Sequence, residues 1–85
     1  MLKLYKHIFS HSHFLVDEEN NKCKTIYAST FNNYWYNLTG DNFGIGNFPE
    51  YYRKIELKDL PIEKQLQLTN LEYIQLLGQE NVKAI

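Results

Sequence analysis

The sequence is poor in cysteine, because Cys23 is the only one among its 85 residues. A disulfide within the chain is therefore impossible, which excludes the small secreted scaffolds that depend on such bonds. No apolar run approaches the length of about 18 residues that a transmembrane helix needs. The segment after Met1 also lacks the apolar stretch of a signal peptide. We therefore expect a cytoplasmic protein.

An excess of charge of either sign is also missing. Nine Lys and Arg residues stand against ten Asp and Glu residues, so the net charge is -1. This balance argues against a protein whose affinity depends on neutralising many phosphates. A chain of this length is expected to form one domain with a modest core. We assign that domain to residues 1–78 and a C-terminal tail to residues 79–85.

Signatures of catalysis are absent from the sequence. No carboxylate pair has a spacing that indicates acid–base chemistry, and no Ser/His/Asp arrangement can be identified. The glycines of residues 40–46 follow the pattern G-x-x-x-G-x-G, which matches neither the dinucleotide-binding nor the Walker motif. Cys23 has no histidine base predicted within reach, so a nucleophilic role is not expected. We predict that the protein is not an enzyme and needs no cofactor.

Aromatic residues, by contrast, are abundant and concentrated. Nine of the thirteen lie between Tyr27 and Tyr52. So much aromatic area in a short chain either builds the core or binds a partner. Tyr27, Phe31 and Tyr51 lie on or beside segments predicted to be regular, and we expect them to belong to the core.

Other residues of the same segment are better candidates for a contact surface. Phe43, Ile45 and Phe48 lie in a glycine-rich loop, where apolar side chains are hardest to explain by core packing. We predict that the loop and the aromatic residues just before it bind a partner. The predicted partner-binding residues in this region are Tyr34, Trp35, Tyr36, Phe43, Ile45 and Phe48.

The pattern of apolar and polar residues indicates four strands. The first covers Leu2 to about Ile8, and residues 13–29 are predicted to form a β-hairpin around the polar turn 18–22. Residues 51–57 alternate again and predict a further strand. Together these segments predict an antiparallel sheet of about four strands.

Residues 30–40 are ambiguous between a helix and a strand. Phe31, Tyr34, Trp35 and Leu38 have the spacing of a helical stripe. Asn, Tyr, Trp and Thr are nevertheless poor helix formers, and aromatic residues favour strands. We predict a short helix here.

The last third of the chain is predicted to be helical. Asp59 is the expected N-cap and Pro61 suits the first helical turn. One arc of this helix is apolar and is expected to face the sheet. The arc consists of Ile62, Leu66, Tyr73, Leu76 and Leu77. With this helix on one face of the sheet, the predicted fold is a small α+β domain.

Leu68 and Leu71 fall almost opposite that arc, and two explanations are open. One helix that continues to Gly78 would expose the two leucines as a patch for a partner. Alternatively the helix breaks at Thr69, because Thr69-Asn70-Leu71-Glu72 is a capping-box sequence that starts a second helix. We include Leu68 and Leu71 among the predicted partner-binding residues.

Three histidines suggest a metal site as an alternative function. His7, His11 and His13 have the same parity, so on an extended strand they would point to one side. His7 and His11 are roughly 13 Å apart on a straight strand, too far to share a metal ion. His11 and His13 are therefore the candidate ligands, and no further ligand is evident because the hairpin places Cys23 away from His13.

The function we predict is non-catalytic binding of a macromolecule, by occupying the surface of a partner protein. Lysine outnumbers arginine eight to one and asparagine, isoleucine and tyrosine are frequent, a composition typical of AT-rich bacterial and phage genomes. A phage or mobile-element inhibitor of a host defence system, of the anti-CRISPR kind, is one instance. The alternatives are a metal-supported module that uses the N-terminal histidines and a single-stranded nucleic-acid binder that uses exposed aromatics. A homodimer is a further option, through a sheet edge or through Leu68 and Leu71.

Overall fold

The computed structural model describes residues 1–38 and 50–83. Within them the chain forms one antiparallel sheet of five strands in the order β4-β3-β2-β1-β5, followed by helices. The predicted small α+β fold is confirmed. The strands are β1 (Leu2–His7), β2 (His13–Asp17), β3 (Lys22–Ile26), β4 (Tyr36–Asn37) and β5 (Tyr52–Ile55). A 3₁₀ turn (Leu57–Asp59) precedes the helices α1 (Ile62–Gln65) and α2 (Asn70–Lys83).

The hairpin of β2 and β3 lies where the sequence predicts it. Its turn contains Asn21, whose φ of 55° is the left-handed conformation that asparagine tolerates better than most residues. The Asn21 amide donates to the Glu18 carbonyl at 3.2 Å and closes the turn. This turn sets the register that places Val16 opposite Cys23.

Both faces of the sheet are buried. Leu4 and Leu15 point to the face that α2 covers, and their neighbours Tyr5 and Phe14 point to the other face. The helix-side core consists of Leu2, Leu4, Leu15, Ile26, Ile55, Leu57, Leu60 and Leu76, with Trp35 and Leu68 packed against it. The opposite core consists of Tyr5, Phe14, Val16, Cys23, Leu38 and Tyr52, with Tyr36 packed against it.

The short helix predicted for residues 30–40 is wrong for the part that the structure describes. Residues 27–35 form neither helix nor strand, and Tyr36–Asn37 pairs with β3 as strand β4. The side chain of Asn32 explains this, because its amide nitrogen donates to the Thr25 carbonyl and its oxygen accepts from the Tyr34 amide. Such local bonds compete with helical hydrogen bonds.

The core assignment of three aromatic residues is also wrong. Tyr27, Phe31 and Tyr51 are exposed, whereas Tyr52 is buried. Tyr27 and Phe31 follow the end of β3 and lie outside any regular element. Tyr51 precedes β5, and strand alternation turns Tyr52 rather than its neighbour towards Phe14.

The helical third of the chain breaks at Thr69, as the second explanation of its sequence requires. The Thr69 amide donates to Glu72 Oε1 at 2.9 Å, and the Glu72 amide donates to Thr69 Oγ1 at 3.1 Å. These reciprocal bonds form the predicted capping box and begin α2. Two details differ from the prediction, because Asp59 belongs to the 3₁₀ turn rather than capping α1, and α2 continues through Gly78 to Lys83.

Candidate functional site

Helix α2 turns most of its apolar side chains away from the sheet. Leu71 and Ile74 are 67% and 63% exposed, and Tyr73 and Leu77 are exposed as well. Spaced three or four residues apart, these side chains occupy neighbouring positions on the helix surface. Among residues 70–79, for which burial is described, Leu76 is the buried apolar residue of α2. The outward side of α2 is therefore more apolar than the side that faces the core.

Helix α1 extends this surface. Ile62 and Leu66 are exposed, the latter by 74%. Together with Tyr73 they line a groove of about 300 Å³ between the two helices. We refer to the whole surface as the apolar helix face. It consists of Ile62, Leu66, Leu71, Tyr73, Ile74 and Leu77.

Of the apolar arc that the sequence predicts to pack on the sheet, Leu76 does so. The prediction is wrong for the other four members, which are exposed: Ile62, Leu66, Tyr73 and Leu77. The reason lies in Glu72, whose buried carboxylate is drawn towards Lys24 on β3. Because residues four apart share a helix side, the side of Glu72 also carries Leu76 to the core. The apolar residues between them are thereby rotated outwards.

The apolar helix face carries no charge on the described part of α2. Between Asn70 and Gln79 the one charged side chain is Glu72, and it is buried. A helix face that is merely solvated usually carries charged residues. This lack of charge is the signal by which the sequence marks the surface, although hydrophobic periodicity alone assigns the same residues to the core.

A concave surface borders α2 on its other side. It has a volume of about 880 Å³, and Met1, Ile74 and Gly78 contribute to its lining. A methyl group added at Gly78 would meet no atom within 4 Å. The helix backbone at Gly78 is therefore open to close approach by another molecule.

The structure separates the two leucines that the sequence groups as a patch. Leu68 is half-buried and packs against the helix-side core, because it lies in the turn between α1 and α2 rather than on a continuous helix. Leu71 lies on the apolar helix face. A shared Leu68–Leu71 patch is therefore not formed.

The aromatic candidates divide in a similar way. Tyr34 is 64% exposed and lies near the ring of Tyr36. Tyr36 is half-buried, and burial raises the pKa of its hydroxyl to about 12. Trp35 is half-buried against the helix-side core. Of the three, Tyr34 is therefore the residue that a partner can reach most freely. Phe43, Ile45 and Phe48 lie outside the described residues.

The histidines do not share one side of a strand. The chain reverses between β1 and β2, so His13 pairs across from Lys6 on the helix side. His7 lies on the opposite face, against the ring of Tyr52. The Nδ1 atom of His13 lies 2.7 Å from the ammonium of Lys64, a cation that opposes metal binding there. No group of three His, Cys, Asp or Glu side chains is arranged to hold a metal ion among residues 1–38 and 50–83.

Cys23 is fully buried in the opposite core, where a substrate has no access to its sulfur. Its position explains why it resembles a structural thiol rather than a nucleophile.

In the described portion of the chain, no helix is sufficiently long and apolar to traverse a bilayer. No protein family, curated protein or solved structure matches the chain.

Proposed function

We propose that this chain is a non-catalytic binding protein that contacts a partner protein through the apolar helix face. The exposure of Leu66, Leu71 and Ile74 supports the proposal most directly. Each fully buried aliphatic side chain contributes about 1.5–3 kcal/mol relative to an exposed one. Binding of a partner that covers this face is therefore stabilised by the burial of apolar side chains that remain exposed in the folded chain.

The chemistry of the face favours a protein over other partners. Membrane-surface helices combine an apolar side with basic residues, and nucleic-acid contacts rely on Lys and Arg. Neither pattern occurs between Asn70 and Gln79. An uncharged face with branched aliphatic residues and Tyr73 is typical of the centre of a protein interface.

The biological setting rests on composition. The lysine-rich, arginine-poor sequence supports a bacterial or phage origin. We therefore retain the proposal of an inhibitor, carried by a phage or mobile element, that occupies a component of a host defence system in the bacterial cytoplasm. The single-stranded nucleic-acid alternative receives less support, since Tyr34 has no basic residue beside it in the sequence.

The test compares a double variant of the face with a matched control. Leu66→Ser with Ile74→Ser removes two exposed apolar side chains, and Phe9→Ser removes one that is 75% exposed in the turn between β1 and β2, beside the rings of His7 and Tyr51. In affinity capture from the host, the wild type and Phe9→Ser should retain the same protein partner. The double variant should retain at least about tenfold less of this partner, while its unfolding temperature stays within a few degrees of the wild-type value.

Two results would contradict the proposal. One is retention of the partner by the double variant together with its loss from Phe9→Ser. The other concerns self-association, measured by light scattering on the purified protein. If the wild type is a dimer and Ile74→Glu is a monomer, the apolar helix face is an interface between two copies of this chain.

A further inference from the structure

A second feature of the molecule is a cluster of basic side chains that the apolar helix face does not involve. His13, Lys6 and Arg53 form a row across three adjacent strands, since Lys6 lies opposite both of the others. The row points to the helix side of the sheet, one step beyond the core residues Leu15 and Leu4. The ends of these strands thus present basic side chains where the core stops.

This row lines an open cavity of about 520 Å³. That volume lies within the range of small-molecule sites, roughly 300–1,000 Å³. His13 is almost completely buried, so one wall of the cavity is fixed by the sheet. The lining residues are Lys6, His11, His13, Arg53, Lys54, Ile55, Asp59 and Pro61.

Helix α1 adds another cation beside the cavity. The ammonium of Lys64 lies 2.7 Å from Nδ1 of His13 and donates to the His11 carbonyl at 2.7 Å. Lys6 donates to the carbonyls of His7 and Ser10 at 3.1 and 2.8 Å. Each ammonium has three donors, so one remains on each lysine beyond these contacts.

Among the described residues, negative charge at the cavity does not balance these cations. Asp59 is the one acidic residue in the described part of the lining, and its Oδ2 already accepts from the Glu56 amide at 3.1 Å. Within residues 1–38 and 50–83, neither Lys6, Lys64 nor Arg53 forms an ion pair. A chain with net charge -1 thus gathers three of its nine cationic residues at one place. The three are Lys6, Arg53 and Lys64.

Burial and neighbouring cations act together on two groups beside the cavity. Burial together with Lys64 and Lys6 lowers the pKa of His13 to about 4, so its ring is uncharged at neutral pH. Burial and Lys6 lower the pKa of Lys64. Burial is the largest cause of both shifts, and the additional effect of the neighbouring lysines shows positive charge held close together, which an anion would relieve.

We propose that this cavity binds the phosphate group of a small phosphorylated molecule. Arg53 presents the planar donor fork that suits two phosphate oxygens, and Lys6 and Lys64 supply the remaining ammonium donors. The His13 side chain positions Lys64 through their direct contact. The open side of the cavity leaves room for the organic part of the ligand.

A small ligand fits the charge distribution better than nucleic acid does. Nucleic-acid sites use a stripe of Lys and Arg that follows the phosphate backbone over many residues. Here the cations surround a single cavity in a chain whose overall charge is slightly negative. The site therefore matches one or two phosphate groups rather than a strand.

The proposal is tested with inorganic pyrophosphate, titrated into the purified chain in 0.15 M NaCl and followed by amide NMR shifts and calorimetry. Saturable binding is expected, with the largest shifts at His11, His13, Arg53 and Lys64. Arg53→Gln and Lys6→Gln should each weaken binding about tenfold or more, because each removes a charge-assisted bond. Lys22→Gln serves as the matched control, since it removes an equal charge from an exposed position on β3. It should change the affinity less than about twofold.

Several outcomes would overturn the proposal. Shifts that spread over the surface without saturating, or an equal loss in Lys22→Gln, would show unspecific attraction to positive charge. A single-stranded oligonucleotide that binds tightly with a steep salt dependence, removed by Arg53→Gln, would show a nucleic-acid site instead. The shift pattern in the wild-type protein decides the matter even if a variant fails to fold.

Discussion

The ammonium nitrogen of Lys24 lies 2.8 Å from Oε2 of Glu72, and this ion pair joins the middle of β3 to the first turn of α2. The Lys24 side chain is 1% exposed. Its nitrogen also lies 5.0 Å from the ring centre of Phe31 and 5.1 Å from that of Trp35. No hydrogen-bond partner for this nitrogen has suitable geometry among the described residues. The carboxylate and the two rings therefore compensate the buried charge.

Loss of the Glu72 charge should destabilise the protein strongly. Glu72→Gln keeps a side chain that can accept from Thr69 but leaves the Lys24 ammonium buried without a counter-ion. We expect the free energy of unfolding to fall by about 3 kcal/mol. Urea denaturation followed by circular dichroism measures the change.

The double variant Lys24→Met with Glu72→Gln separates the ion pair from packing. It should be more stable than Glu72→Gln alone, because methionine fills the site of Lys24 without a charge. Thr69→Ala is the control for the capping box and should cost about 1 kcal/mol. If the double variant is no more stable than Glu72→Gln alone, the buried charge of Lys24 is not the cause of the loss.

Truncation of the neighbouring aromatic residues Tyr34 and Trp35 should change the stability of the fold by very different amounts. Trp35→Ala removes a ring that packs on the helix-side core and faces Lys24, so we expect a loss of about 2 kcal/mol. Tyr34→Ala removes an exposed ring and should change stability by less than about 0.5 kcal/mol. Thermal unfolding distinguishes the two. If Tyr34→Ala proves the more damaging change, the assignment of Trp35 to the core is incorrect.

The sequence predicted those parts of the fold that depend on local signals. Alternation located the hairpin and the capping box located Thr69, because both depend on residues close in the chain. The orientation of α2 could not be predicted in this way. Periodicity shows which residues share a helix side, but the buried Lys24 on β3 decides which side faces the sheet.

For the candidate sites as well, the sequence predicts local features but not those that depend on the pairing of distant segments. Spacing alone placed the histidines on one strand, whereas the reversal after β1 puts His7 and His13 on opposite faces. The proposed phosphate-binding cavity is lined by Lys6, His13 and Arg53, and Lys64 lies beside it. The pairing of the strands and the position of α1 bring these residues together. Such juxtapositions have no signature within any short segment of sequence.

The stability of the fold should decrease on acidification through the titration of His13. Its pKa is about 4 in the folded protein, below the ordinary value of 6.5, so the unfolded chain binds a proton first as the pH falls. Stability is therefore retained above pH 6.5 and decreases as the pH falls towards 4, by roughly 2–3 kcal/mol in total. Urea midpoints measured across this window provide the test.

The variant His13→Gln isolates this contribution. Its stability should vary less between pH 6.5 and 4 than that of the wild type, because glutamine does not titrate. NMR titration of the His13 ring gives a second measurement in the wild type. A ring that titrates near its ordinary pKa would contradict the buried environment described for it.

Replacement of Gly78 by alanine should stabilise the protein, although Gly78 borders the proposed contact surface. The residue lies within α2, where glycine is about 1 kcal/mol less favourable than alanine, and the added methyl group meets no atom within 4 Å. We expect the free energy of unfolding to rise by about 0.5–1 kcal/mol and the unfolding temperature by a few degrees. Gln75→Ala, at an exposed site one turn earlier, controls for helix propensity and should have a smaller effect.

The same variant examines how closely a partner approaches α2. If the partner packs against the helix backbone beside Ile74, the methyl group of Gly78→Ala keeps it at a distance, so binding weakens while stability increases. Opposite changes in the two quantities cannot result from damage to the fold. Unchanged affinity would place the contact towards Leu66 and Tyr73 on the α1 side of the apolar helix face, and a decrease in stability would contradict the open environment of Gly78.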